Sequence, residues 1–209
     1  MSGLEKDPVN LIITGVGGQG NILMSRLIGE ALLEDGYQVT VGETYGASQR
    51  GGAVASHIRI SEDTQYGALT PVGQADIILG LEPMESLRIL GLYGGPKTFV
   101  IANTRPVHTM SVAIGETEYP ELETMKQAIS KLSQKAWYIE ATEIAINLGA
   151  PLIANMVMLG ALIGTRLLPL AKDKVERQLR ASFQKERRTS NLKALAMGLS
   201  ETEINKGNE

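Results

Sequence analysis

The stretch VNLIITGVGGQG, residues 9–20, decides the fold of this chain. Its first half, Val9–Thr14, is short, nearly all apolar and rich in β-branched residues, which is typical of a strand buried on both faces of a sheet. Its second half, Gly15–Gly20, has the spacing G-x-G-x-x-G and is followed at once by a helical apolar period over Asn21–Glu34. A glycine turn between a strand and a helix predicts the first unit of an α/β sheet.

Apolar runs alternate with helical segments along the rest of the chain. Further strands are expected at Gln38–Glu43, Ala53–Ile60, Asp76–Leu81, Thr98–Ala102 and Ala136–Ile139. Because a helix joins the first two strands, those strands must run in the same direction. The sequence predicts an α/β fold, a Rossmann-like and mostly parallel sheet with helices on both faces and a helical C-terminal extension. Residues 1–170 are expected to form the α/β domain and residues 171–209 the extension of that same domain.

The composition excludes several kinds of chemistry. Lys and Arg number 20 against 23 Asp and Glu, and this net charge of −3 gives no electrostatic case for nucleic acid or an anionic membrane. The absence of cysteine excludes thiol catalysis, zinc–thiolate sites and a self-contained iron–sulfur cluster. The charge-free stretch 144–165 is interrupted by Gly-Ala-Pro and fits a buried helix better than a membrane span. The charged N-terminus lacks the apolar segment of a signal peptide, so a cytoplasmic protein is expected.

The glycine turn is the sharpest candidate site. At Gly17, Gly18, Gln19 and Gly20 the scarcity of side chains lets an anion approach unpaired amide groups at a helix N-terminus. The alternative is that these glycines only permit close packing of strand against helix. Gly20 is followed by Asn21 rather than by Lys and Ser or Thr, which excludes a Walker A phosphate loop.

Glu43 is a second candidate because it ends the predicted second strand, 23 residues after Gly20. An acid at that position binds the ribose hydroxyls in dinucleotide-binding sheets. The alternative is an acid that accepts hydrogen bonds from nearby backbone amides at a strand end.

The glycine-rich loop 44–52 is the third candidate. It carries Ser48, Gln49, Arg50 and the pair Gly51-Gly52, so that one guanidinium stands among exposed amides and suits a phosphate or carboxylate group. The alternative is a connecting loop in which Arg50 forms a salt bridge. Neither these loops nor the two histidines, His57 and His108, supply a nucleophile paired with a base. The sequence therefore predicts ligand-binding residues, no catalytic residue and no metal ligand.

Three segments together resemble a known family: the strand with its glycine turn, ETYGASQRGGAVASHIRIS at 43–61, and QADIILGLEPMESLR at 74–88. They are similar to the small, gamma-type subunit of 2-oxoacid:ferredoxin oxidoreductases, above all of the indolepyruvate type. The resemblance covers nearly the whole chain. The GGQG and SQRGG signatures together are far more specific than a lone glycine motif.

The resemblance implies a function in a larger enzyme. Members of the family oxidatively decarboxylate a 2-oxoacid, here an arylpyruvate, to an acyl-CoA and reduce ferredoxin. The resemblance places thiamine diphosphate, Mg²⁺ and 4Fe-4S clusters on the large (alpha) partner subunit and leaves this chain inactive alone. It also implies that the loops Gly17–Gly20 and Ser48–Gly52 face the substrate and coenzyme A region, with Arg50 as the anion contact.

Two other interpretations stay open at this point. The glycine motif together with Glu43 is also compatible with a free-standing NAD(P)-binding reductase. A purely structural assembly module without ligand contacts is the third possibility.

Overall fold

A computed structural model describes residues 4–45, 52–107 and 118–204. The candidate residues Ser48, Gln49, Arg50 and Gly51, and also His108, lie outside these ranges. The strands within them, in chain order, are β1 (Val9–Val16), β2 (Gln38–Tyr45), β3 (Ala53–Ser61), β4 (Ile77–Gly80), β5 (Phe99–Asn103) and β6 (Lys135–Ile139). The helices are α1 (Asn21–Leu33), α2 (Pro83–Tyr93), α3 (Leu122–Leu132), α4 (Ala141–Asn147), α5 (Ala154–Thr165), α6 (Lys172–Ser182) and α7 (Lys185–Ile204), and a short 3-10 turn (Pro151–Ile153) precedes α5.

The strands form one sheet in the order β2-β3-β1-β4-β5-β6. The pairs β1–β4, β4–β5 and β5–β6 are parallel, whereas β3 is antiparallel to both β1 and β2. The predicted α/β class and mostly parallel sheet are therefore confirmed. β1 and β2 do run in the same direction, but they are not neighbours, because β3 lies between them.

The sheet buries a different set of side chains on each face. On one face Leu11 and Ile13 of β1 pack with Leu27 and Ile28 of α1 in the larger core. On the other face Ile12 of β1 belongs to a smaller core that includes residues of α2 and α3. This alternation follows from the two-residue period of a strand, and it confirms helices on both faces.

The two C-terminal helices contribute to the larger core through Val175 and Leu179 of α6 and Ala194 and Leu195 of α7. Helix α5 is buried nearly throughout its length, which agrees with the expectation of a buried helix in this stretch. No helix in the described part of the chain is long and apolar enough to span a membrane. The division at residue 170 stays a prediction.

Candidate binding cavity at the carboxyl end of the sheet

A cavity of about 250 Å³ opens at the carboxyl ends of the parallel strands. It is lined by Gly18, Gln19, Leu81, Asn103, Arg105, Pro106, Val107, Thr142, Pro151, Leu152, Ala154, Asn155 and Met158. β1 and β4 are neighbours, and the helices that follow them, α1 and α2, pack in the cores on opposite faces. The cavity therefore lies at the point of an open α/β sheet where ligands characteristically bind.

The glycine turn forms one side of the cavity. Gly20 is the residue before α1 and has φ of 97°, and Gly18 has φ of 104°, both in the left-handed region that favours glycine. A Cβ atom at Gly20 would overlap the side-chain amide of Asn155. No side chain caps α1, and its first turn holds no acidic residue. The positive end of this helix thus carries no negative side chain of its own.

Gln19 joins the ends of two strands rather than leaving its amide free. Its Oε1 accepts a hydrogen bond from the Val16 amide at 2.7 Å, and its Nε2 donates to the Leu81 carbonyl at 3.2 Å. These bonds connect the carboxyl end of β1 to that of β4. Gln19 therefore shapes the cavity through contacts with the protein itself.

The glycine turn also contacts the end of the third candidate segment. The Gly17 amide donates a hydrogen bond to the Gly52 carbonyl at 2.8 Å. The glycine turn and the end of the candidate loop 44–52 are therefore in contact at Gly17 and Gly52.

Glu43 lies on β2 and does not line the cavity. Its Oε1 accepts a hydrogen bond from Ser25 Oγ at 3.1 Å, and its Oε2 accepts one from Ser56 Oγ at 2.6 Å. Because β3 separates β2 from β1, Glu43 sits two strand spacings, about 10 Å, from the strand that carries the glycine turn. A ribose contact by Glu43 would have to replace these internal bonds.

Asn103, at the end of β5, is a cavity residue that sequence reasoning missed. It is only 3% exposed, and its Nδ2 donates to the Leu81 carbonyl at 3.1 Å and to Thr142 Oγ1 at 3.0 Å. Its Oδ1 is buried and has no hydrogen-bond partner among the described residues. A buried acceptor without a partner is costly, so this oxygen suits a ligand that presents an N–H or O–H group. A polar residue ending an apolar parallel strand is the signal that could have identified it.

The described residues of the cavity supply groups that are suited to binding. They offer amides, a hydroxyl, one guanidinium and apolar side chains, and no carboxylate or imidazole is among these described lining residues. The guanidinium belongs to Arg105, which lies at an exposed edge and pairs with Glu143 at 3.1 Å.

The described ranges contain no cluster of metal ligands. No group of three or more His, Cys, Asp or Glu side chains in them could hold a metal ion. The chain as a whole contains no cysteine, so it lacks thiolate ligands for an iron–sulfur cluster. These residues do not fit such a cluster.

The fold and the cavity define a class of protein, an α/β protein with an open cleft at the carboxyl ends of its parallel strands. The chain belongs to the pyruvate ferredoxin/flavodoxin oxidoreductase family, which it matches over residues 10–201. It is 38% identical over 191 residues to the indolepyruvate oxidoreductase subunit IorB of Pyrococcus horikoshii, a match that covers 91% of this chain and 94% of the relative.

Solved structures share the fold. The gamma subunit of a keto/oxoacid ferredoxin oxidoreductase from Geobacter sulfurreducens superposes with a TM-score of 0.67 at 21% identity, covering 93% of this chain and 98% of that one. The 2-oxoglutarate:ferredoxin oxidoreductase of Magnetococcus marinus gives a TM-score of 0.74 at 22% identity, covering 96% of this chain but 32% of the other. The fold of this chain therefore occurs both as a separate subunit and as about one third of a longer chain.

Proposed function

We propose that this chain is the small subunit of a thiamine-diphosphate-dependent 2-oxoacid:ferredoxin oxidoreductase that acts on indolepyruvate or a related arylpyruvate. The complex would convert the 2-oxoacid and coenzyme A to acyl-CoA and CO₂ while reducing two one-electron ferredoxin acceptors and releasing one proton. The observation that carries the proposal is the 38% identity to an indolepyruvate oxidoreductase subunit across 91% of the chain. We place the complex in the cytoplasm, without contact to a membrane or to nucleic acid.

The cofactors belong on the large subunit in this proposal. Thiamine diphosphate, Mg²⁺ and the 4Fe-4S clusters would be held there and would supply the carbanion and electron-transfer chemistry. The absence of cysteine from this chain, which removes the thiolate ligands of an iron–sulfur cluster, supports this division.

The residues of this chain would bind and orient the substrates. We assign the substrate and coenzyme A side of the subunit to the glycine turn, Gly17–Gly20, and to the loop Ser48–Gly52, with Arg50 as the contact to an anionic group. Gly18 and Gln19 line the cavity, and Gly52 bonds to Gly17, which supports a common location for the two loops. Asn103 would add a neutral acceptor for an N–H or O–H group of the ligand.

The test is reconstitution with the large subunit. The chain is co-purified with that subunit and assayed with indolepyruvate, phenylpyruvate, pyruvate and a branched-chain 2-oxoacid, in the presence of coenzyme A and a viologen dye. The expected result is arylpyruvate- and coenzyme A-dependent dye reduction by the complex and none by the purified chain alone. Robust turnover by the chain alone, or saturable micromolar NADH binding to it, would contradict the proposal and favour a free-standing reductase.

A further inference from the structure

Glu82 is a buried carboxyl group at the carboxyl end of β4, only 1% exposed, and it was not among the predicted site residues. It directly follows Leu81, whose carbonyl accepts bonds from Gln19 and Asn103 in the cavity. Its Oε2 accepts a hydrogen bond from the Glu85 amide at 2.8 Å and so caps the N-terminus of α2. Capping accounts for the contact of Oε2 but not for the contacts of the second carboxylate oxygen, Oε1.

The second carboxylate oxygen, Oε1, bonds to a residue that lines the cavity. Oε1 accepts hydrogen bonds from the Val107 amide, at 3.3 Å, and from the Tyr119 hydroxyl. Val107 lines the cavity together with Arg105 and Pro106. The segment 105–107, named here the cavity wall, is therefore fastened to the end of β4 by this carboxyl group.

The burial of Glu82 is more than a helix cap requires. A short Asp, Asn, Ser or Thr side chain caps a helix at least as well, and a buried carboxylate is costly unless it is well compensated. No Lys or Arg within the described ranges forms an ion pair with Glu82. Burial accordingly raises the pKa of Glu82, although the hydrogen bonds from Tyr119, Glu85 and Val107 oppose that rise. Glu82 presents one oxygen to the Glu85 amide and the other to Val107 and Tyr119, whereas a helix cap needs only the first of these contacts.

We infer that Glu82 is a positioning residue that holds the cavity wall in the place where a ligand contacts it. Glu82 is not among the described residues that line the cavity, and it acts on the cavity through its bond with the Val107 amide. The inference rests on the proposed function only for the identity of the ligand. The fastening of the wall can be tested independently of any reaction.

Two variants separate fastening from capping. Glu82→Asp keeps a carboxylate that can cap α2. Its side chain is one methylene shorter, so it is expected to lose the bond from the Val107 amide. Tyr119→Phe removes the second hydrogen bond to Oε1 and keeps the bond from the Glu85 amide to Oε2, although it also removes the bond between the Tyr119 hydroxyl and the Met84 backbone. Glu85→Gln is the matched control, because Glu85 is also a buried acid in the first turn of α2, but its side chain pairs with Arg88 at 2.7 Å rather than with the wall.

The first measurement is amide hydrogen exchange of the full chain in its complex. Glu82→Asp and Tyr119→Phe are expected to accelerate exchange of the Val107 amide, which donates to Glu82, about tenfold, whereas Glu85→Gln leaves it unchanged. Unchanged exchange there in both variants would overturn the inference. This readout does not depend on turnover, so it stands even if the wild-type complex fails to oxidise any 2-oxoacid.

The second measurement is kinetic. In the active complex, the two wall variants are expected to raise KM for the 2-oxoacid or for coenzyme A about three- to tenfold while kcat changes less, because they disturb binding rather than chemistry. Faster exchange with unchanged KM for both substrates would show that the position of the cavity wall does not affect substrate binding, and it would also overturn the inference. A wild-type complex without activity contradicts the proposed function instead.

Discussion

Gly198 of α7 lies directly against the backbone carbonyl of Val157 in α5, so closely that a Cβ atom at Gly198 would overlap it. Gly160 of α5 contacts the Leu195 carbonyl of α7 in the same manner. The two helices therefore cross with their backbones in contact, and this crossing fixes α7 on the buried helix that also supplies Asn155 and Met158 to the cavity.

Gly198→Ala is expected to lower the free energy of unfolding by about 1–3 kcal/mol, because the added methyl group forces two packed backbones apart. Gly91→Ala is the control, since Gly91 also lies in a helix, α2, but has open space where its Cβ would stand. The control is expected to stabilise the protein by about 0.5–1 kcal/mol. Urea denaturation of both variants measures the difference, and equal effects of the two substitutions would contradict the close crossing.

Asn103→Ala is expected to raise KM for the 2-oxoacid or coenzyme A about tenfold in the reconstituted complex. The reason is that the variant lacks the buried Oδ1, which would accept a hydrogen bond from the ligand. Steady-state kinetics with each substrate varied in turn provides the measurement. Asn147→Ala, at an exposed position at the end of α4, is the control and should leave both KM values unchanged. Unaltered KM values for Asn103→Ala would show that its oxygen does not meet a substrate.

Arg50→Ala tests the loop 48–52, most of which lies outside the described residues. If Arg50 binds an anionic group of substrate or coenzyme A, its removal should raise the corresponding KM about ten- to a hundredfold. Arg187→Ala, on the exposed surface of α7, serves as the control for loss of one positive charge. Unchanged kinetics of Arg50→Ala in the complex would favour the assembly-module interpretation.

His57 provides a pH-dependent prediction for stability. Its ring is fully buried on β3, its Nδ1 accepts a hydrogen bond from the Thr70 amide at 3.4 Å, and burial lowers its pKa. The unfolded chain therefore takes up a proton near pH 6.5, while the folded protein does so only at lower pH. The stability that depends on neutral His57 is complete above pH 6.5 and is lost as the pH falls through the folded pKa.

The measurement for His57 is the free energy of unfolding of wild type and His57→Phe at several pH values from 7.5 down to 5. As the pH falls, the free energy of unfolding of wild type should decrease relative to that of His57→Phe, because phenylalanine cannot be protonated. Since His108 is present in both proteins, its titration cancels in the difference. A gap that stays constant with pH would contradict a depressed His57 pKa.

The order of strands and helices followed from sequence because it depends on local patterns. The apolar run Val9–Thr14 and the glycine turn indicate a buried strand that leads into a helix, and the structure contains β1 and α1 there. Gly36, just beyond α1, has a positive φ, as is typical of the residue that ends a helix. The predicted strand Ala136–Ile139 is also present, and its Trp137 is buried in the larger core.

The neighbours of a strand could not be predicted in the same way. The insertion of β3 between β1 and β2 depends on pairing between residues distant in sequence, such as Thr14 with Ala55. For that reason the sequence left two interpretations of Glu43 open, a ribose ligand and an acid bonded within the protein. In the structure its oxygens accept bonds from Ser25 and Ser56, and the ribose contact stays a prediction. Asn103 and Glu82 were missed because their contacts depend on the assembled sheet. Only there is it visible that Asn103 Oδ1 has no partner among the described residues and that Glu82 reaches Val107.

The antiparallel direction of β3 determines at which edge of the sheet this strand begins. The carboxyl end of β2 and the amino end of β3 lie at the same edge of the sheet as the carboxyl end of β1, because β3 is antiparallel to both strands. Gly52 is therefore placed beside Gly17. With a crossover helix after β2, the next strand would have begun at the opposite edge.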